Sequence, residues 1–260
     1  ARGNEIKIAG EEFEMELFED KLTALIDYFT HYNIINESVI EQIYLGDNPL
    51  TPVNKTDKDV LVYGNNGKII RARTVNQQKL VSVYDTNDLL FALGPAGSGK
   101  TYTAIALAVR ALRNKEVKRI ILTRPAVEAG ERLGFLPGDL KEKLDPYLQP
   151  LYDALNDMIP VRKLNTYMED GTVQIAPLAY MRGRTLDQAF VILDEAQNTT
   201  LGQLKMFLTR MGNSAKFIVT GDVTQIDLPR RSDSGLLKAM ILLKNIKGIG
   251  VVEFDNRDIL

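Results

Sequence analysis

The feature that most constrains this chain is a glycine-rich segment, Gly94 to Thr101, which fits the pattern G-x-x-x-x-G-K-[ST]. Its glycines can adopt backbone angles closed to other residues, so its N–H groups can converge on phosphate oxygens. Lys100 would reach the terminal phosphates, and the Thr101 hydroxyl would be a ligand of Mg2+. The residues of this segment predicted to contact a nucleotide are Gly94, Pro95, Ala96, Gly97, Ser98, Gly99, Lys100, Thr101 and Tyr102.

The residues on either side of this loop indicate a strand–loop–helix unit. Leu89 to Leu93 is an apolar run typical of a buried strand. After the loop, apolar residues from Tyr102 to Leu112 recur at helical spacing. The positive end of that helix's dipole would add to the attraction for phosphate. A glycine-rich turn without a ligand is the alternative, and this context argues against it.

Composition and charge limit the class of protein. The 260 residues contain no cysteine and no apolar run near the length of a membrane span, so we expect a soluble, cytoplasmic α/β protein. Residues 1–50 hold 3 Lys/Arg and 11 Asp/Glu, whereas residues 51–260 hold 29 and 23. The larger part is therefore mildly basic, which permits a nucleic-acid partner without requiring one.

The order of apolar runs predicts the fold and its division into parts. Four β-rich runs follow the loop, at residues 119–123, 172–176, 190–193 and 217–220, and they alternate with helical segments. Such alternation predicts a mostly parallel sheet between helices, with active groups at the carboxyl ends of the strands. We divide the chain into an N-terminal α+β unit (1–50), a linker and β-hairpin (51–75) and a P-loop domain (76–260).

A pair of carboxylates supplies the second half of a nucleotide site. Asp194 and Glu195 directly follow the apolar run 190–193, so the tip of a buried strand would deliver them beside the phosphates. Asp194 would hold Mg2+ through its water shell. Glu195 would polarise or deprotonate the water that attacks the γ-phosphate, which makes it the predicted catalytic base. After a P-loop strand, this order is a strong signal.

Further polar residues are candidates for the same chemistry. Gln225, after the strand at 217–220, could contact the γ-phosphate or the attacking water as a sensor. Gln77 lies 17 residues before Gly94; it could read an adenine edge, although a glutamine in a helix cap is the commoner case. Phosphoryl transfer often uses an extra arginine, for which the candidates are Arg182, Arg184, Arg230 and Arg231.

Several longer motifs resemble one known family, the bacterial PhoH-like ATPases. They are GPAGSGKT at 94–101, LTRPAVEAGE at 122–131 with LGFLPGD at 133–139, APLAYMRGRT at 176–185, LDEAQNTT at 193–200 and TGDVTQ at 220–225. The resemblance is close over residues 60 to about 258 and looser before them. So many motifs in one order make it highly specific.

This resemblance implies a RecA-like P-loop ATPase core, similar to the first motor lobe of superfamily 1 helicases, in a cytoplasmic protein linked to RNA metabolism. It implies that Gln77 reads the adenine, that the N-terminal unit is KH-like and that an endoribonuclease is a partner. The chain opens at Arg2-Gly3-Asn4, where family members are already partway through that unit, so we expect the unit to be truncated. We expect RNA to follow loops that contain Arg124, Lys141, Lys143, Arg182 and Arg184.

The oligomeric state and two alternative functions follow from the same motifs. The roughly 35 residues after Gln225 are too few for a second RecA-like lobe, so we expect a hexameric ring with an arginine supplied by a neighbour. A GTPase switch is the first alternative, because Asn54-Lys55-Thr56-Asp57 spells N-K-x-D. That motif precedes the loop, whereas a GTPase needs it afterwards. The second alternative is a nucleotide-dependent scaffold that recruits an endoribonuclease.

Overall fold

The structure is a computed structural model that describes residues 10, 12–32, 35, 40, 43, 60–65, 68–125, 140–243 and 246–259. Contacts divide the chain into two compact units, one of residues 1–58 with 66–68 and one of residues 59–65 with 69–260. In the first unit, helix α1 spans Glu12–Tyr32 and buries Ala24 and Tyr28 against Ile43. Residues 1–9 of the predicted N-terminal unit lie outside the described residues, so its KH-like fold stays a prediction.

The larger unit begins with the predicted hairpin. Strands β1 (Val60–Tyr63) and β2 (Ile69–Arg71) pair antiparallel. Their apolar residues Leu61, Val62 and Ile70 lie in the main core of this unit. The hairpin strands are therefore part of the large unit, and the linker predicted before them lies outside the described residues.

The remaining elements alternate between strand and helix, as the sequence predicts. The helices are α2 (Val75–Tyr84), α3 (Lys100–Arg113), α4 (Leu140–Met158), α5 (Val161–Glu169), α6 (Leu201–Leu208) and α7 (Gly235–Leu243). The strands are β3 (Leu89–Leu93), β4 (Arg119–Arg124), β5 (Val173–Pro177), β6 (Ala189–Leu193), β7 (Lys216–Gly221) and β8 (Ile249–Glu253).

Strands β3 to β8 form one sheet, in the order β5-β4-β6-β7-β3-β8, and every neighbouring pair is parallel. The predicted α/β fold with a parallel sheet between helices is confirmed. Because the strands are parallel, their carboxyl ends meet at one edge. Strands β3, β6 and β7 are neighbours there, so the residues that follow them are brought together.

Two cores cover the sheet, one on each face. The first joins α2, α3, α4 and α5 to the sheet through residues such as Leu80, Ile105 and Leu151. The second joins α6 and α7 to the other face through Leu204 and Leu236. Burial on both faces explains why β3 and β6 read as unbroken apolar runs. None of the described helices is long and apolar enough to cross a membrane.

Candidate nucleotide site

The loop after β3 has the backbone geometry that its glycines predict. Gly94, Gly97 and Gly99 have φ values of 149°, 79° and 78°. A Cβ atom on Gly94 would lie 2.3 Å from the carbonyl oxygen of Phe254, and one on Gly99 would lie 2.7 Å from Nε2 of Gln77. Glycine is therefore required at Gly94 by space as well as by angle, whereas at Gly99 the main constraint is the backbone angle.

Lys100 lies inside this loop, with only 8% of its surface exposed. Its Nζ donates to the carbonyl oxygen of Pro95 at 2.7 Å and lies 3.4 Å from Oγ of Ser98. Burial lowers the pKa of Lys100, and the negative charges of Asp222, Glu195 and Asp194 partly offset that effect. The loop thus holds a cation whose nearest charged neighbours are carboxylates from other strands.

Asp194 meets the loop directly at the end of β6. Its Oδ1 accepts from the hydroxyl of Thr101 at 2.6 Å and from the hydroxyl of Thr220, on β7, at 2.7 Å. Only 2% of Asp194 is exposed. The two residues predicted to hold a metal, Thr101 and Asp194, therefore lie in contact although 93 positions separate them.

Arg124, the last residue of β4, holds the other side of the same carboxylate. Its Nε and Nη2 donate to Oδ2 of Asp194 at 3.0 and 2.5 Å, and Nη2 lies 3.8 Å from Oε1 of Glu195. Its Nη1 donates to the carbonyl oxygen of Tyr147 in α4 at 2.6 Å. Arg124 therefore makes its hydrogen bonds inside the site, and the expectation that its loop lines an RNA path stays a prediction.

Glu195 follows Asp194 in a left-handed backbone conformation, with φ of 54°. Its Oε2 accepts from Nε2 of Gln197 at 2.5 Å. Burial raises the pKa of Glu195, and the neighbouring charge of Asp194 raises it further. A carboxylate with a raised pKa is a stronger proton acceptor, which suits a general base.

Gln197 and Asp222 connect the tips of β6 and β7, and the sequence analysis assigned neither a role. Oε1 of the buried Gln197 accepts from the backbone N–H of Asp222 at 3.0 Å. Oδ1 of Asp222 accepts from the N–H and the hydroxyl of Thr224, while its buried Oδ2 has no partner among the described residues. Both residues lie within the motifs LDEAQNTT at 193–200 and TGDVTQ at 220–225, but neither motif indicates that they contact each other.

Three further residues of the predicted site lie outside the phosphate loop: Gln225, Gln77 and Tyr102. Gln225 is exposed, and its backbone N–H donates to the carbonyl oxygen of Asp222. Gln77 is buried; its Oε1 accepts from the N–H of Arg73 at 2.8 Å and its Nε2 donates to the carbonyl oxygen of Ser98 at 3.1 Å. One N–H and one lone pair of that amide are left for a base, so adenine reading stays a prediction.

Tyr102 turns its hydroxyl away from the loop and donates to Oδ2 of Asp157 in α4 at 3.0 Å. What it can offer a phosphate is its backbone N–H, since the first N–H groups of a helix have no acceptor within it. The predicted contact of Tyr102 with a nucleotide is thus limited to the main chain.

Known proteins match this chain over most of its length. The family profile described as PhoH-like protein matches residues 69–260. A PhoH-like protein of Bacillus subtilis (strain 168) is 50% identical over 261 residues, which cover 100% of this chain and 82% of the relative. One of Mycobacterium bovis is 49% identical over 100% of this chain and 74% of its own length.

The chain belongs to the PhoH-like family. Protein PhoH of Escherichia coli (strain K12) is 48% identical over 196 residues, which cover 73% of this PhoH-like chain and 54% of that protein. Among solved structures, the UvsW helicase from bacteriophage T4 is 14% identical, with a TM-score of 0.46 over 84% of this chain and 78% of that one. The family assignment therefore depends on the sequence relatives.

The site of this PhoH-like chain fits a magnesium ion carried by a nucleotide. Thr101 and Asp194 offer the oxygen ligands that Mg2+ prefers. Within the described residues there is no cluster of three or more His, Cys, Asp or Glu side chains that could hold a metal by themselves. Mg2+ commonly takes its remaining ligands from phosphates and water, so this donor set suits an ion that arrives with its nucleotide.

Proposed function

We propose that this PhoH-like chain binds ATP with Mg2+ and hydrolyses it, and that hydrolysis is coupled to RNA in the cytoplasm. The observation that carries the proposal is the direct contact between Thr101, in the phosphate loop, and Asp194, at the tip of β6. That contact brings the phosphate-binding side and the acidic side of the site to one place.

Each side chain has a role in this proposal. The loop N–H groups and Lys100 bind the β- and γ-phosphates, and Thr101 and Asp194 hold the ion. Mg2+ would neutralise charge on the phosphate oxygens. Glu195 accepts a proton from the attacking water, and Gln197 orients Glu195 through its 2.5 Å hydrogen bond. Gln225 would contact the γ-phosphate from an exposed turn.

The test is phosphate release from ATP and from GTP, with and without single-stranded RNA, by the wild-type chain and by Lys100→Ala. We expect Mg2+-dependent release from ATP that RNA stimulates, and weak nucleotide binding by Lys100→Ala because the phosphates lose their cation. Release from GTP alone would support the GTPase alternative. Nucleotide binding without any release would support the scaffold that recruits an endoribonuclease.

A hexameric ring with an arginine donated by a neighbour is part of this proposal. Two of the four candidate arginines have acceptors in their own chain: Arg184 donates to Oε1 of Gln174, and Arg231 donates to two carbonyl oxygens of its turn. Arg230 is exposed and beside that turn, so it is our choice for the donated group. Light scattering that finds only monomer at full ATPase activity would contradict the ring.

A further inference from the structure

A basic pocket lies on the face of the sheet that α6 covers. It is an open pocket of about 460 Å3, and we call it the α6 pocket. Its lining residues are Arg182, Gly183, Gly202, Lys205, Met206, Thr209 and Arg210. Three of these are cations and none is an acid, so the pocket has a strongly positive field.

The walls of the α6 pocket are fixed by the core beneath them. Met181, next to Arg182, and Phe207 of α6 are fully buried in the second core. Arg210 donates from Nε to the carbonyl oxygen of Met206 at 3.1 Å and from Nη1 to that of Arg184 at 3.2 Å. The guanidinium of Arg210 is therefore a positioned charge and not a freely moving one.

The other two cations are available to a ligand. Arg182 and Lys205 are exposed, and the described part of the chain provides no ion pair for either side chain. Gly183 and Gly202 line the same pocket, and a Cβ built on either would meet nothing within 4 Å. A phosphate could thus approach the backbone as well as the two cationic side chains.

We propose that the α6 pocket binds the phosphodiester backbone of a single-stranded nucleic acid. A positive groove without acids attracts a polyanion, and an open groove admits a continuing chain. Tyr180, two residues before Arg182, is 59% exposed and offers an aromatic face on which a base can stack. The ligand class is thus a strand of RNA or of DNA, whose backbone chemistry is shared.

The position of α6 links this pocket to the nucleotide site. Helix α6 begins three residues after the short 3-10 helix Ala196–Asn198, which carries Gln197. Gln197 is bonded to Glu195, and its carbonyl oxygen accepts from the buried hydroxyl of Ser234 at 2.8 Å. A bound nucleic-acid strand that shifts α6 would therefore move Gln197 and, through it, Glu195. Such a movement would stimulate ATP hydrolysis. This coupling, unlike the binding itself, rests on the proposed ATPase.

The experiment measures fluorescence anisotropy of labelled oligo(U) RNA and oligo(dT) DNA with the full chain over a series of salt concentrations. The variant is Arg182→Ala/Lys205→Ala. The matched control, Arg162→Ala/Lys163→Ala, removes the same charge from exposed positions of α5, on the opposite face of the sheet. Far-UV circular dichroism shows whether each variant folds.

We expect the α6-pocket variant to bind the preferred strand more weakly than the control does. Its slope of log affinity against log salt should fall by about 1.4, because each lost contact to a single strand contributes about 0.7. Stimulation of the ATPase by the nucleic acid, taken as the ratio of the stimulated to the basal rate, should fall in parallel. Comparison of the oligo(U) and oligo(dT) titrations shows whether the bound backbone is that of RNA or of DNA.

Equal affinities in the variant and the control would overturn the proposal, as would a wild-type chain that binds neither strand. Complete displacement of both strands by an equal concentration of tripolyphosphate would also overturn it, because the ligand would then be a small anion. Failure of the proposed ATPase gives a different result: pocket-dependent strand binding with no phosphate release at all.

Discussion

Arg124 donates from Nε and from Nη2 to the same oxygen of Asp194, Oδ2, at 3.0 and 2.5 Å. The other oxygen of that carboxylate accepts from the hydroxyls of Thr101 and Thr220. The protein's own donors therefore set the orientation of Asp194 from both sides. One side belongs to the phosphate loop and the neighbouring strand, and the other continues through Arg124 to Tyr147 in α4.

Replacing Arg124 by Gln should lower the Mg2+ concentration needed for half-maximal nucleotide binding. A guanidinium on Asp194 opposes a second cation at the same carboxylate, by at least about 1 kcal/mol at 4 Å even at the dielectric constant of water. We expect a shift of roughly fivefold or more, measured by titrating a fluorescent ATP analogue at several Mg2+ concentrations. Arg119→Gln, at the start of the same strand, is the control. An unchanged or higher Mg2+ concentration at half-maximal nucleotide binding would show that Arg124 does not oppose the ion at Asp194.

Replacing Gln197 by Glu should reduce the rate of hydrolysis and leave nucleotide affinity nearly unchanged. The change substitutes a carboxylate for the donor that holds Oε2 of Glu195, so repulsion displaces the general base. Since a general base contributes about 10²- to 10⁴-fold, we expect at least a tenfold fall in kcat at similar Kd. Gln203→Glu is the matched control, because a glutamate preserves the capping box of α6. Equal kcat values for Gln197→Glu and Gln203→Glu would show that Gln197 does not position Glu195.

Replacing Gly99 by Ala should weaken nucleotide binding. The new Cβ would lie 2.7 Å from Nε2 of Gln77, at a φ of 78° that disfavours any side chain. Gly248→Ala is the control for the angle alone, because Gly248 has φ of 88° and nothing within 4 Å of its Cβ position. The left-handed angle costs about 1–2 kcal/mol in each case. Equal nucleotide affinity in the two variants would show that the Gln77 contact is unimportant.

Replacing Tyr84 by Phe should destabilise the fold near neutral pH by about 0.5–1.5 kcal/mol, because the hydroxyl donates to Oε2 of Glu116 at 2.8 Å. Burial raises the pKa of Glu116, but hydrogen bonds from Asn114 and Tyr84 outweigh that and leave it below its ordinary value. A lowered pKa gives stability that is present above the unfolded pKa and lost as pH falls through the folded one. The difference between variant and wild type in urea unfolding should therefore shrink in acid. A difference that grows in acid would contradict this assignment.

The sequence was informative at positions where the chemistry of the site allows only one or two residue types. The loop glycines, Lys100, Thr101 and the Asp194-Glu195 pair were found because phosphate and Mg2+ admit few alternatives, and the strand before each group was long and apolar. Strand β8 was missed because Ile249–Glu253 is a short run interrupted by Gly250. The strand order could not be derived from runs alone, since many orders are compatible with parallel pairing.

Long-range side-chain pairing was the part that the sequence did not reveal. Arg124 was expected to line an RNA path, and no local pattern indicated that it also bonds a carboxylate 70 positions away. The roles of Thr220 and Gln197 depend on β6 and β7 being neighbours, which no local pattern states. Lys205 and Arg210 of the α6 pocket were overlooked for a similar reason, because a helix with scattered basic residues reads as an ordinary solvated surface.

In the proposed function, the phosphate loop and the acidic tip of β6 act on one nucleotide, with Glu195 as the general base. Steady-state phosphate release by Glu195→Gln tests this role, with the affinity for a fluorescent ATP analogue measured on the same preparation. We expect an affinity within about twofold of wild type and a rate lower by about 10²- to 10⁴-fold. Turnover by Glu195→Gln at the wild-type rate would contradict it.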